Sequence, residues 1–233
     1  MTTLRVLSYN VRSLRDDPAA VARVIRAADP QVALIQEAPR FWRWRTACAA
    51  LARQAGLVLV TGGRTSGANL VLSSLAVEVL ATHEISLSAQ PKLHLRGAAM
   101  AVLRLSGGEF AVAGTHLDLV ESARLTHLDE LAAVLADRLP DVPLLLGGDL
   151  NAVPGSATWQ RLTGFGADVF AAVGQGDGFS YSAVEPVRRI DGLFADPRLR
   201  PLSAQVLDSA DVRIGSDHRP LLAEFELNRA VGR

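Results

Sequence analysis

The sequence predicts an α/β protein in which mixed β-sheets are covered by helices. Strand-like and helix-like segments alternate almost from end to end, with no linker and no low-complexity break. A hairpin signal sits among strand–helix–strand units, so antiparallel and parallel pairs must coexist. At 233 residues, with 49% hydrophobic, the chain suits one α/β domain over 1–233 with a substantial core.

Local chemistry supports each element in turn. LRVLSYNV (4–11) is a strand by its β-branched and aromatic content. Asp17-Pro18 starts a helix over PAAVARVIRAA, since Pro fits the first turn, where no backbone N–H is needed. QVALIQE (31–37) is a second strand, and Pro39 to Gln54 reads as a helix stopped by Gly56. LVLVTG, ANLVLSS and LAVEVLATHEI are three more strands. GAAMAVLRL and FAVAGTHLD, joined by SGGE, form an antiparallel hairpin. Leu125, Leu128, Leu131, Ala132 and Leu135 mark the buried stripe of a helix over about 120–138. VPLLLGGD, nearly all apolar, is a strand buried on both faces, and VRRIDGLFA and PLLAEFEL complete the set.

Composition excludes several classes. Acids and bases balance at 24 each, which argues against a strong non-specific grip on duplex DNA. Cys48 is the only cysteine, so an intrachain disulfide framework and a Cys-based zinc cluster are ruled out; in TACAALA it is expected to pack. The stretch MTTLRVLSYNVRS lacks the features of a signal peptide, and no apolar run approaches a membrane span. The expectation is a cytoplasmic monomer without stable membrane insertion.

The polar residues then show a pattern. Asn10 and Glu37 end the first two strands, and His116 and Asp118 end FAVAGTHLD. Asp149 and Asn151 follow VPLLLGG, Asp191 lies in VRRIDGLFA, and Asp217-His218 precede the last strand. Groups able to ligate a metal or a phosphate thus recur where apolar strands meet loops, the usual place for α/β sites.

The stretches SYNVR (8–12), LIQEA (34–38), GTHLD (114–118), GGDLNAVP (147–154), RIDGLF (189–194) and SDHRP (216–220) together resemble the endonuclease/exonuclease/phosphatase (DNase I-like) superfamily. They stand in the family's order and span nearly the whole chain. The resemblance implies a four-layer sandwich of two mixed β-sheets flanked by helices. It also implies Mg²⁺- or Mn²⁺-dependent hydrolysis of a phosphodiester or phosphomonoester by in-line water attack. On that pattern Glu37 is the main metal carboxylate, with Asn10 and Asp217. Asp149 handles the attacking water, and Asn151 contacts phosphate or holds Asp149. His218 and His116 face the phosphate, and Asp191 orients and charges His218. Asn69, Arg96 and Asp118 are further candidates for contact with substrate.

The same residues admit plainer readings. DLN is also an Asx-turn sequence, Glu37 a helix N-terminal acid, Asp118 a helix cap and Arg96 a solvated strand end. His83, His94 and His127 fall outside the quoted stretches, and His127 is expected on an exposed helix flank. A Ser–His–Asp triad is disfavoured because no GxSxG elbow is present, and neither a P-loop nor a GxGxxG occurs. Gln31 stands where the family commonly has Asp, the loops are short, and the only lysine is Lys92. RFWRWR (40–45) directly follows the Glu37 region; Trp42 in it is a candidate wall for bases or an aromatic leaving group, or else part of an inward-packed helix. The leading substrate is nucleic acid, with a small or lipid phosphoester (inositol phosphate, sphingomyelin type) as alternative. A retired module that only binds nucleic acid or a partner is the reading from another class.

Overall fold

The computed structural model of the chain describes residues 2–89, 91 and 94–227, so Lys92 lies outside the described residues. The elements run β1 (Thr2–Asn10), α1 (Pro18–Ala28), β2 (Val32–Gln36), α2 (Trp44–Ala55), β3 (Val58–Gly63), β4 (Asn69–Ser73), β5 (Glu78–Ser86), β6 (Gly97–Leu105) and β7 (Gly108–His116). There follow α3 (Glu121–Arg138), β8 (Leu144–Asp149), α4 (Ala157–Leu162), β9 (Ala167–Asp168), α5 (Val169–Val173), β10 (Gly174–Gln175), β11 (Asp191–Ala195), β12 (Arg200–Val206), α6 (Ala210–Gly215) and β13 (Leu221–Leu227). A 7-stranded sheet has the order β10-β12-β13-β1-β2-β4-β3, and a 6-stranded sheet the order β5-β6-β7-β8-β11-β9.

Strand alternation builds the four layers. Leu4 and Val6 of β1, Val32 and Leu34 of β2, Val112 of β7, Leu145 of β8 and Leu193 of β11 meet in one core between the sheets. Their neighbours turn outward: Leu7, Tyr9, Ala33 and Ile35 pack with Val21, Ile25 and Leu51 of the helices over the first sheet. Ala113, Leu146 and Phe194 pack with Leu128 and Leu131 of α3 and Trp159 of α4 over the second. Period-two chemistry on strands with both faces covered explains why they read as continuous apolar runs. Each buried Val, Leu, Ile or Phe among them contributes roughly 1.5–3 kcal/mol relative to exposure.

Most expected elements form. Asp17 caps α1, accepting from the N–H groups of Ala19 and Ala20 at 2.9 and 3.0 Å. Gly56, at φ 79°, ends α2. β6 and β7 pair as the expected hairpin. The differences have physical causes. The second helix starts at Trp44, not Pro39, because Arg43 sits in the left-handed region at φ 55° and breaks the run. VRRIDGLFA is a strand only from Asp191 onward. β12 was missed in the sequence: Pro201 and alternate exposed positions hide a strand that pairs with β13. His127, expected on an exposed flank, is buried instead, with Nε2 3.0 Å from the Ser88 carbonyl oxygen.

Candidate active site

Sheet topology brings the singled-out polar residues to one edge of the sandwich. β1 and β2 are parallel, as are β7 and β8, so their carboxyl ends carry Asn10, Gln36, His116 and Asp149. β11 and β13 run antiparallel to β8 and β1, which puts the beginning of each at that same edge. Register does the rest: Asp149 lies opposite His116 on one side and Asp191 on the other. Gly148 makes the approach possible. It has φ +147°, and a Cβ there would lie 1.8 Å from the Thr115 carbonyl oxygen.

The two sheets are joined at the edge by Asn10. Its Nδ2 donates to Asp149 Oδ2 at 2.9 Å and to Glu37 Oε1 at 3.1 Å. Its Oδ1 accepts from the Arg12 N–H at 3.0 Å. In this arrangement Asn10 is a donor that spaces two carboxylates. Glu37 takes φ 50° and Asn151 φ 46°, backbone strain of the kind that collects at working sites.

Asp149 is the hub. Its Oδ1 accepts from the Asn151 N–H at 3.1 Å, and its Oδ2 lies 3.2 Å from His116 Nε2 and 3.6 Å from His218 Nε2. Asn151 Nδ2 donates to His116 Nε2 at 3.1 Å and to the Leu117 carbonyl at 3.0 Å. Burial pushes the His116 pKa down to about 3, more than Asp149 raises it, so the ring is neutral and Nε2 can accept from Asn151. The His116–Asp149 contact is therefore not an ion pair.

His218 is the opposite case. Burial opposes its charge, but Asp191 and then Asp149 outweigh burial and raise its pKa to about 10. Its Nδ1 lies 2.9 Å from Asp191 Oδ2. Ser180 Oγ accepts from the Asp191 N–H at 3.2 Å, and Ser216 Oγ donates to the Asn10 carbonyl at 2.7 Å, which fixes both loop ends.

Acceptor atoms of Glu37, His116 and Asp149 lie within 4.8 Å of one another. Two carboxylates and a neutral imidazole at that spacing, with Asn10 Nδ2 between the carboxylates, form a donor set that fits a divalent ion. Asp217 also lines the cleft, but its Oδ2 faces Arg12 Nε at 3.4 Å.

A sequence model of the Endonuclease/Exonuclease/phosphatase family matches residues 7–218. The chain belongs to the Endonuclease/Exonuclease/phosphatase family. No curated protein matches it. Its fold is similar to that of an endonuclease/exonuclease/phosphatase from Bacteroides vulgatus, at TM-score 0.82 and 20% identity over 98% of this chain and 100% of the other. It is also similar to a mannosyl-6-phosphatase from Bacteroides thetaiotaomicron, at TM-score 0.80 and 16% identity over 96% and 100%. The human Nocturnin catalytic domain aligns at TM-score 0.75 and 16% identity over 97% and 95%.

In this family member the cleft has a volume of about 580 Å³ and is walled by Glu37, Arg96, His116, Asp149, Asn151 and His218, among others. Arg96 is buried, and its Nε stands 3.6 Å from Asp118 Oδ2; neither atom has a hydrogen-bond partner among the described residues. Asp118 Oδ1 meanwhile accepts from the Leu119 N–H at 2.6 Å, so it shapes the turn before α3. Asn69 does not wall the cleft: it is fully buried and donates to the carbonyls of Ser66 and Gly97 at 2.7 and 3.0 Å. That holds the Gly67–Ala68 segment, which does form part of the wall. Trp42 is 89% exposed and Phe41 70%, so the inward-packed helix fails for both, whereas Trp44 packs on the core.

Sequence reasoning missed Tyr181, Arg188, His94 and Arg15 of the cleft wall. The Tyr181 ring lies 5.0 Å from the His218 ring, and Arg188 covers Tyr181 at 4.9 Å. A bridge pairing of Tyr181 with both Arg188 and His218 produces this stack. No local signal marks it, because the segment is irregular.

Proposed function

We propose that this chain is a Mg²⁺- or Mn²⁺-dependent phosphoesterase that cleaves phosphodiester bonds of nucleic acid strands. The observation that carries the reading is the cationic His218–Asp191 pair facing the Glu37–His116–Asp149 donor set across Asp149. Hydrolysis needs a proton acceptor for the attacking water and positive charge where the phosphoryl oxygens gain electron density. Asp149 accepts the proton, held in place by Asn10 and the Asn151 N–H. His218 donates through Nε2 to a phosphoryl oxygen, and Asp191 maintains its charge and direction. Glu37, with Asp149 and His116, would hold the divalent ion, which supplies charge neutralisation and a template for the phosphate.

Exposed Phe41 and Trp42, which directly follow Arg40 of the cleft wall, favour a strand whose bases stack and whose phosphates meet guanidinium groups. A second reading, a small phosphoester, is favoured by the cleft volume of about 580 Å³, the size of a small-ligand pocket, and by the zero formal net charge. A chelator-controlled panel of single-stranded DNA, RNA, abasic duplex, inositol phosphates and sphingomyelin decides between them. Metal-dependent cleavage of a strand is the expected result. Turnover confined to inositol phosphates or sphingomyelin would remove the nuclease reading, and no turnover with either metal would remove hydrolysis itself.

A further inference from the structure

Several arginines around the cleft, though not on its wall, are matched to carboxylates. Arg12 faces Asp16 and Asp217, Arg189 faces Asp168, and Arg219 faces Asp208. Three that line the cleft are not: Arg15, Arg40 and Arg188 make no ion pair among the described residues. Arg40 lies over the Phe41 ring at 5.4 Å and Arg188 over the Tyr181 ring at 4.9 Å, contacts that orient a guanidinium without neutralising it. Arg15 follows β1, Arg40 follows β2 and Arg188 precedes β11, so the three stand on both sheets around one opening.

The carboxylates of the cleft do not answer this charge. Glu37 and Asp149 share Asn10, Asp149 and Asp191 face His218, and Asp217 faces Arg12. The phosphate to be cut is met by His218 and the Glu37–His116–Asp149 donor set. The three unmatched guanidinium groups are therefore surplus to one phosphate. Guanidinium forks are well suited to phosphate oxygens, and a chain with no formal net charge gains little from grouping them unless an anion binds there.

We propose that Arg15, Arg40 and Arg188 form a subsite for a second, non-scissile phosphate of the same substrate. The inference rests on the phosphoesterase reading for its scissile centre. Its ligand chemistry has two sources: the neighbouring phosphate of a nucleic acid strand, or the second phosphate of a small bisphosphate. Substrates with a lone phosphate then bind weakly, whatever their remaining bulk.

The test uses matched pairs that differ in one phosphate: a thymidine dinucleotide with and without a 5′-phosphate, and a hexose bisphosphate with its monophosphate. Turnover is measured on the wild-type protein with Mn²⁺, and binding by calorimetry on Asp149→Asn. In at least one pair the doubly phosphorylated member should show a KM or Kd lower by about tenfold or more. The responding pair identifies the source. Replacing Arg15, Arg40 and Arg188 together by Gln should bring the ratio near one, whereas the Arg26→Gln/Arg53→Gln double variant should keep it. Equal values within both pairs overturn the proposal, as does a ratio that survives the triple variant or collapses in the control. Should no compound be hydrolysed while the arginine-dependent binding preference remains, the subsite stands and the hydrolase reading falls.

Discussion

Asp191 Oδ2 sits 2.9 Å from His218 Nδ1, with both side chains buried, and this contact keeps an imidazolium at the cleft wall. The folded pKa of His218, about 10, lies above the ordinary value of 6.5. A raised histidine pKa contributes stability that is fully present below pH ~6.5 and is lost as pH rises through about 10. Activity that needs the cation should fall on the alkaline side in the same window. Asp191→Asn should move that alkaline limb toward neutral pH by more than about one unit. A pH–rate profile from 6 to 10.5 checks this, and an unmoved limb counts against the pair.

His116 carries the opposite sign. Its pKa of about 3 in the fold lies below the ordinary value of 6.5, so its contribution is present above pH ~6.5 and fades as pH falls toward 3. His116→Gln should reduce the loss of stability between pH 6.5 and 4, read from denaturant midpoints across that range.

Asp149→Asn keeps the side-chain shape but removes the proton acceptor. Turnover should fall by about 10³-fold, within the range for a lost general base. Without metal the fold should survive with a modestly lower melting temperature, because relief between the two carboxylates bridged by Asn10 is offset by the loss of an anion facing His218. Activity and thermal melts on one preparation separate chemistry from folding.

Divalent metal should raise the melting temperature of the wild-type protein in a concentration-dependent way, by roughly 2.7 kcal/mol of stabilisation at one hundred times Kd. Glu37→Gln should greatly weaken that shift. A shift of equal size in Glu37→Gln would place the ion elsewhere.

Gly148→Ala should destabilise by at least about 3 kcal/mol, in the tail of single substitutions. Its φ is +147°, and the added Cβ would strike the Thr115 carbonyl oxygen. By contrast Trp42→Ala, at a side chain 89% exposed, should change stability by no more than about 0.5 kcal/mol. If bases stack there, its KM for single-stranded DNA should still rise by about fivefold or more. Chemical denaturation of both variants, with kinetics for the second, tests the contrast.

Much of the architecture was legible along the chain because its signals are local. Apolar periodicity, Asp17-Pro18, Gly56 and the SGGE turn act within a few residues, and the elements they predict formed. Strand ends also marked Asn10, Glu37, His116, Asp149, Asp191 and His218 as neighbours-in-waiting, since each follows or precedes an apolar run. The RFWRWR stretch misled in part, because helical spacing cannot reveal that Arg43 turns left-handed and leaves Trp42 outside.

Side-chain partnerships were a different matter. Asn10 reaches Asp149 across 139 positions, and Asp191 reaches His218 across 27, through sheet order and register that no local pattern encodes. Burial likewise belongs to the assembled layers: it makes His116 neutral, while the carboxylates around His218 keep that ring charged. Residue types and spacing thus specified which groups the chain offers at its strand ends. Packing two sheets face to face decided which of them meet, because distance and desolvation exist only once the layers have closed.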